Sequence, residues 1–315
     1  MRKLALTAVA AAAAIALLAA PSGAGDRDLP AGRLVLGLHP PERVAVVDVR
    51  SGHTLVRRVP GGTLCHGPLV LSGGRLILSR AAGRRPAVDS LDLRLGDRRR
   101  LGTATQYLAS ATPGRLWLAT MRYGRHPSLG SIREVTAAGR TTFVSRHRAP
   151  ALSLVGALHD GLLFERRARL LVWSPRSGRV VRRMPGAHVL SARGGRVAWC
   201  RGRCAQVHLA GREGDRVRSL PAPGFTGAFS PDGALLAVAL ADGRLAIVDV
   251  LSRSVREVPG VRLAEGSGAL AWAPDGDWLF FSAPRGRLMA YRPSSEQLEV
   301  LPARPPGHVL ELAAG

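Results

Sequence analysis

The alternation of short apolar runs and polar turns is clearest between Phe229 and Pro259. Three apolar runs, Leu235–Leu240, Leu245–Val250 and Val255–Val258, are separated by Asp242-Gly243 and Ser252-Arg253-Ser254, and a shorter run, Gly227–Ser230, precedes Pro231-Asp232-Gly233. Asp-Gly supplies the positive φ that a tight hairpin requires. The segment therefore predicts four antiparallel strands, a unit that needs copies of itself on both sides to bury its two faces.

The same unit recurs along the chain. A glycine marks the first turn of each copy, at Gly32, Gly74, Gly114, Gly161, Gly195, Gly233 and Gly276, so successive markers are 34 to 47 residues apart. An apolar run follows each marker, and a third strand follows that run. Seven units of four short strands, with a period of about forty residues, predict an all-β fold. We expect a seven-bladed β-propeller of four-stranded antiparallel blades with almost no helix.

The two ends of the chain complete the count. Residues 25–31 are polar and contain Pro30, so the first unit lacks an innermost strand. The last residues, His308–Gly315, have the pattern of the innermost strand of unit five, His188–Gly195. We therefore expect the C-terminal strand to join the first blade and close the ring, which removes exposed sheet edges.

The first residues have the composition of an export signal. Arg2 and Lys3 precede the apolar segment Leu4–Ala20, and Ser22-Gly23-Ala24 fits the small-x-small pattern of a signal peptidase site. We expect residues 1–24 to be a signal peptide and residues 25–315 to form one secreted, extracytoplasmic propeller domain. An uncleaved anchor is the alternative, although the apolar segment is short for a membrane span. No later run approaches that length, so we expect no integral membrane span after cleavage.

The formal charge of +23 comes almost wholly from arginine, since Lys3 is the only lysine. The absence of asparagine and the abundance of Ala, Gly, Arg, Leu and Pro indicate a very GC-rich coding sequence, so part of the charge reflects codon usage. The arginines are expected to be spread over every turn. Because an exported protein has little contact with nucleic acid, the charge favours an anionic cell-envelope polymer or a lipid headgroup as the partner. A solvated basic surface without a ligand is the alternative.

Three cysteines in an exported protein leave one unpaired. Cys200 and Cys204 flank Arg201-Gly202-Arg203, where the hairpin between the second and third strands of unit five should turn. Residues that close so short a loop face each other at disulfide distance. We predict this disulfide, and we expect Cys65 to be a buried small hydrophobe at a strand start. Two thiols are weak grounds for a metal, so no metal site is assigned.

Ligands of propellers are expected at the mouth of the axial channel, on the loops that lead into the inner strands. Counting back seven to nine residues from the marker glycines gives His66, Tyr107, His188, Phe225 and Ser267, and counting back seven from Gly315 gives His308. His66, Tyr107, His188 and His308 are the candidate ligand-binding residues, since imidazoles converging on the axis could hold a small anion or a metal. The alternative is that these positions suit the transition from turn to strand. Carboxylates nearby are few, with Glu265 the main one.

Two pentapeptides carry a family resemblance. Phe229-Ser230-Pro231-Asp232-Gly233 and Trp272-Ala273-Pro274-Asp275-Gly276 resemble the F/W-S-P-D-G motif of TolB-like and WD-repeat-like propellers. The segments Val46–Gly52 and Ile247–Val250 resemble the repeat of YVTN-type surface-layer propellers. The resemblance implies a secreted bacterial β-propeller. It indicates almost nothing about activity.

No catalytic signature accompanies the repeats. There is no G-x-S-x-G elbow, and the Asp-Gly pairs are explained by turn chemistry. We expect a monomeric, secreted, non-catalytic propeller without a cofactor that binds a protein or cell-envelope partner, an expectation that rests on fold analogy. The alternative is a metal-dependent hydrolase or lactonase-like enzyme with its site at the channel mouth.

Overall fold

Each repeat forms one antiparallel sheet of four strands, and seven such sheets are arranged as the blades of a β-propeller, which confirms the predicted fold. The computed structural model describes residues 29–39, 43–58, 69–80, 86–122, 128–150, 153–166, 169–185, 187–193, 195–210, 216–264 and 269–315. Within these ranges the helical content is one short 3-10 helix, Pro284–Gly286. None of the described helical structure has the length and hydropathy of a membrane span. The expected signal peptide, residues 1–24, lies outside the described residues.

The strands of the first four blades are given from the axis outward. Blade 1 consists of β28 (His308–Ala314), β1 (Arg33–His39), β2 (Arg43–Asp48) and β3 (Thr54–Arg58). Blade 2 consists of β4 (Val70–Ser72), β5 (Arg75–Arg80), β6 (Ala87–Leu91) and β7 (Arg99–Thr103). Blade 3 consists of β8 (Gln106–Ala109), β9 (Arg115–Arg122), β10 (Ser128–Thr136) and β11 (Thr141–Val144). Blade 4 consists of β12 (Ser153–Ala157), β13 (Leu162–Arg166), β14 (Arg169–Trp173) and β15 (Val180–Pro185).

The last three blades follow the same plan. Blade 5 consists of β16 (Ala187–Arg193), β17 (Arg196–Arg201), β18 (Gln206–Ala210) and β19 (Arg216–Ser219). Blade 6 consists of β20 (Gly224–Phe229), β21 (Leu235–Leu240), β22 (Leu245–Asp249) and β23 (Val255–Glu257). Blade 7 consists of β24 (Leu270–Trp272), β25 (Leu279–Ala283), β26 (Arg287–Arg292) and β27 (Gln297–Val300). The inner strands contact one another in the cyclic order β28, β4, β8, β12, β16, β20, β24 and back to β28, so the ring is closed.

Closure depends on the C-terminal strand, as the sequence predicted. β28 pairs antiparallel with β1, with Leu36 opposite Leu312 and Leu34 opposite Ala314. The backbone N–H of Arg33 donates to the carbonyl of Gly315 at 2.9 Å, and the N–H of Gly315 donates back to Arg33 at 3.0 Å. The first blade is therefore assembled from both ends of the chain.

The hydrophobic core is divided among the interfaces between adjacent blades. On β21, Leu236, Val238 and Leu240 pack toward blade 5, whereas Ala237 and Ala239 pack toward blade 7. Successive strand residues point to opposite faces, and here both faces are covered by a neighbouring blade. This is why the segment has a continuous apolar run rather than alternation. Burial of a large apolar side chain at such an interface contributes about 1.5–3 kcal/mol.

The Ser-Pro-Asp-Gly segment forms the first turn of blade 6. The Asp232 carboxylate accepts hydrogen bonds from the Ser230 hydroxyl at 2.6 Å and from the Ala234 N–H at 3.0 Å. Gly233 has φ of +71°, and its N–H donates to the carbonyl of Ser230 at 2.9 Å. The positive φ disfavours other residues at this position. The Asp232 side chain therefore stabilises the turn, as its sequence context predicted.

The hairpin between β17 and β18 contains the predicted pair of cysteines. Cys200 and Cys204 are joined by a disulfide, with their Cα atoms 4.8 Å apart. The Cys200 side chain is fully buried between blades 5 and 6, so the bond links the hairpin to the core. Cys65, the third cysteine, lies outside the described residues.

Candidate functional site

The up-and-down course of the strands gives each blade two ends. The inner strands of all blades begin on one side of the ring, which we call the start face. They end on the opposite side, which we call the end face. In a four-stranded meander the first-to-second and third-to-fourth turns both lie on the end face. Three of the candidate ligand-binding residues, Tyr107, His188 and His308, lie at or near the beginnings of inner strands, which places them on the start face.

Tyr107 is buried in the core between blades 2 and 3. Its hydroxyl accepts a hydrogen bond from the backbone N–H of Ser79 at 3.1 Å, and the side chain is 3% exposed. Burial, assisted by the nearby Glu311 carboxylate, raises the pKa of Tyr107 above its usual value. Tyr107 therefore connects two blades rather than facing an open channel mouth.

The two described histidines of the predicted set are exposed. His188, on β16, has its Nδ1 2.8 Å from Oε1 of Glu165, a residue of the neighbouring blade 4. The backbone N–H of Val189 donates to the other oxygen of Glu165 at 3.4 Å. His308 is the first residue of β28. His66 lies outside the described residues, so its part in the predicted ring stays a prediction.

The predicted positions do not form a described metal centre. Among the residues that the structure describes, no three His, Cys, Asp or Glu side chains are grouped so that they could hold a metal ion. Glu265, the carboxylate expected nearest the channel, lies outside those residues. The metal-dependent hydrolase alternative therefore stays a prediction.

A half-buried carboxylate on β28 was missed in the sequence. Glu311 lies on β28, and its Oε2 accepts a hydrogen bond from the backbone N–H of Leu69 at 2.5 Å, which ties blade 1 to blade 2. Burial raises the pKa of Glu311, while the Leu69 hydrogen bond acts in the opposite direction. The sequence feature that could have identified this carboxylate is a single glutamate inside the apolar run His308–Gly315.

The arginines are more numerous in the repeats on one side of the ring, although every repeat contains some. Residues 70–219, which form blades 2 to 5, contain 29 arginines and 8 carboxylates. Residues 224–300, which form blades 6 and 7, contain 7 arginines and 9 carboxylates. Codon usage acts on the whole gene, so by itself it does not account for this difference between blades.

Within this basic side, one surface joins blades 3 and 4. It consists of five arginines that we call the basic arc: Arg140, Arg146, Arg148, Arg176 and Arg179. All five are exposed, and none forms an ion pair with another residue of the described structure. Arg140 lies in the third turn of blade 3, and Arg176 and Arg179 lie in the third turn of blade 4.

Local hydrogen bonds bring the two blades together at the basic arc. The Ser145 hydroxyl donates to the carbonyl of Pro175 at 2.8 Å, and Nε2 of His147 lies 3.0 Å from the carbonyl oxygen of Arg176. Gly178, with φ of +70°, gives the His147 ring its space, because a Cβ there would lie 2.5 Å from the ring. Arg146 and Arg148 are thereby held against the turn that carries Arg176 and Arg179.

Aromatic side chains lie beneath part of the arc. The Arg176 guanidinium carbon is 5.6 Å from the centre of the Phe143 ring, which meets Trp117 edge to face at 6.0 Å. Val144 beside them is 55% exposed. A guanidinium held over an aromatic face keeps its hydrogen-bond donors free for an anion. The surface therefore combines positive charge with a partly apolar base.

Comparisons with known proteins point to the fold. No protein-family model matches the chain, and no curated protein matches it. Apo AztD from Citrobacter koseri is similar in structure, with 15% identity, a TM-score of 0.60, and coverage of 90% of this chain and 98% of that chain. A candidate 6-phosphogluconolactonase from Bacteroides fragilis has 11% identity and a TM-score of 0.59 over the same shares. TolB from Acinetobacter baumannii has 15% identity and a TM-score of 0.47, over 90% of this chain and 66% of that chain.

Sequence repeats, sheet topology and structural likeness together define the class of this protein, a seven-bladed β-propeller. The likeness at these identities concerns the fold. The finer assignment to WD-repeat-like or YVTN-type propellers stays a prediction.

Proposed function

We propose that the protein is a secreted, monomeric, non-catalytic TolB-like propeller whose basic arc binds an anionic polymer of the cell envelope. Residues 1–24 serve in this proposal as the signal peptide, and residues 25–315 as the exported domain. The observation that carries it is a group of five exposed arginines on two adjoining blades, none of which has a carboxylate partner among the described residues.

Several arginines on a rigid surface act together where one alone does little. A single exposed ion pair contributes about 0–1 kcal/mol, so affinity requires several at once. The guanidinium group pairs with phosphate or carboxylate through two parallel hydrogen bonds. The contacts of Ser145 and His147 hold the donors of both blades in place before binding, which lowers the ordering cost. An extended polymer can contact successive arginines along the two turns.

The test is cosedimentation of the purified protein with isolated cell envelopes at low and high salt. A variant combining Arg146→Ala, Arg148→Ala, Arg176→Ala and Arg179→Ala is expected to lose at least about tenfold in affinity, because several charge-assisted contacts are removed together. Wild-type binding is expected to fall steeply with added salt, since exposed charges are screened.

The matched control removes the same charge from the other side of the ring. It combines Arg57→Ala, Arg58→Ala, Arg287→Ala and Arg304→Ala, which are all exposed and belong to blade 1, to blade 7 or to the segment between them. We expect it to bind like the wild type. Equal loss in both variants would mean that net charge alone is responsible, and binding insensitive to salt would contradict the proposal.

A further inference from the structure

A cavity opens on the axis at the end face, the side opposite the predicted ligand-binding histidines. Its volume is about 550 Å³, within the range of small-molecule sites. Every blade lines it with small residues where its inner strand ends: Ala314, Ser72, Ala109, Ala157, Ala192, Ala228 and Ala271, for blades 1 to 7 in order. Larger apolar residues, among them Leu71, Trp272 and Leu312, complete the wall.

One positive charge in the cavity wall is not balanced by a direct partner. Arg193, at the end of β16, lines the cavity and forms no ion pair with another described residue. Its side chain is exposed at the cavity wall. Partial desolvation lowers the pKa of Arg193, while the charge of Asp232 acts in the opposite direction. The Asp232 carboxylate is itself occupied by Ser230 and Ala234.

The other arginine of the wall is neutralised. Nη1 of Arg115 lies 3.0 Å from Oε2 of Glu134, which also accepts a hydrogen bond from the Thr142 hydroxyl at 2.9 Å. The described wall therefore offers one guanidinium without an ion pair, at Arg193, among residues that are mostly small or apolar. A bound anion with one negative charge would pair with this guanidinium.

We propose that this cavity binds a small organic monocarboxylate, with Arg193 holding the carboxylate and the alanine-lined wall enclosing a compact apolar body. Arg193 would donate two parallel hydrogen bonds to the two carboxylate oxygens. A dianion such as phosphate would leave its second charge unpaired, and the Asp232 carboxylate, whose charge acts on Arg193, would repel it. The site is separate from the basic arc and does not depend on the proposed function.

The experiment is isothermal titration of the full protein with 4-methylpentanoate. Saturable binding is expected, and 4-methylpentanamide, which has the same body without the charge, is expected to bind at least about tenfold more weakly. Inorganic phosphate and acetate are expected to bind more weakly still. Phosphate carries a second negative charge, and acetate lacks an apolar chain to fill the cavity.

Three variants locate the binding. Arg193→Gln is expected to weaken binding of 4-methylpentanoate at least about tenfold, and Ala109→Leu, which places a larger side chain in the cavity from an exposed position, is expected to weaken it similarly. Arg57→Gln, at an exposed residue of blade 1 outside the cavity and the basic arc, is the control and is expected to bind like the wild type. Absence of saturable binding up to about 10 mM, equal affinity for the amide, preference for phosphate, or wild-type affinity in both cavity variants would each overturn the proposal.

Discussion

Glu134 shows how the fold treats a carboxylate among apolar strands. It lies on β10, is 7% exposed, and accepts hydrogen bonds from the Ser110 hydroxyl at 2.7 Å and from Arg115 at 3.0 Å. Burial is the largest single influence and acts to raise the pKa of Glu134. The hydrogen bonds from Ser110, Thr142 and Arg115, with the charge of Arg115, together lower this pKa below the usual 4.5. Its ionised form therefore stabilises the folded protein.

Replacing Glu134 with glutamine should reveal this contribution. A lowered pKa means that the stabilisation is present above about pH 4.5 and is lost as the pH falls through the folded-state pKa. At pH 7 we expect Glu134→Gln to lower the free energy of unfolding by about 1–3 kcal/mol, because charged hydrogen bonds are lost. The difference from wild type should shrink in acid, as followed by urea unfolding at a series of pH values.

The control for this measurement is Asp160→Asn, which changes an exposed carboxylate in the first turn of blade 4. It should change stability little at any pH. A Glu134→Gln effect that stays constant with pH would indicate that packing, rather than ionisation, is responsible.

At the scale of one element, β28 has a register shift in its pairing with β1, between the partners Val309 and Glu311, and Leu310 lies at this shift. Val309 is 1% exposed and packs in the core shared by blades 1 and 7, whereas the next residue, Leu310, is 40% exposed. Composition alone does not distinguish two neighbouring aliphatic residues. The strand's pairing with β1 decides which side chain meets the core.

A pair of alanine substitutions tests this arrangement. Val309→Ala should lower the free energy of unfolding by about 2 kcal/mol, because it removes buried methyl groups and leaves a cavity. Leu310→Ala, although it removes more atoms, should cost clearly less because its side chain is largely in water. Chemical unfolding curves of the two variants measure the difference, and a larger loss for Leu310→Ala would contradict the observed register.

For the whole molecule, ring closure makes the blades depend on one another. Each blade is packed between two others, so removal of one inner strand exposes two interfaces and a sheet edge. The uneven distribution of arginines also becomes visible only in the whole ring. Blades 2 to 5, whose segments contain most of the arginines, are consecutive and therefore form one side.

Deletion of His308–Gly315 should therefore destabilise all seven blades. We expect the melting temperature to fall, and tryptophan fluorescence and far-ultraviolet circular dichroism to report one shared transition, since buried tryptophans occur in several blades, among them Trp173, Trp199 and Trp278. A truncated protein with an unchanged melting temperature would show that the first blade does not need β28.

The periodic pattern of the sequence was sufficient to predict the blades and their closure. Apolar runs separated by Asp-Gly and Ser-Gly turns restrict the backbone locally, and repetition of one unit leaves few ways to bury both faces of every sheet. For the same reason the Cys200–Cys204 pair could be proposed from loop length, since four residues of sequence separation already limit the distance.

Tertiary structure alone decided which polar groups meet across blades. Tyr107 with Ser79, Glu311 with Leu69, and the Arg193 side chain on the axial cavity each depend on how neighbouring sheets are rotated about the axis. The basic arc likewise arises because the segment after β11 folds onto the third turn of blade 4. Strand periodicity specifies the two faces of a sheet, but the side chain opposite each face belongs to another repeat, and local sequence carries no record of that partner.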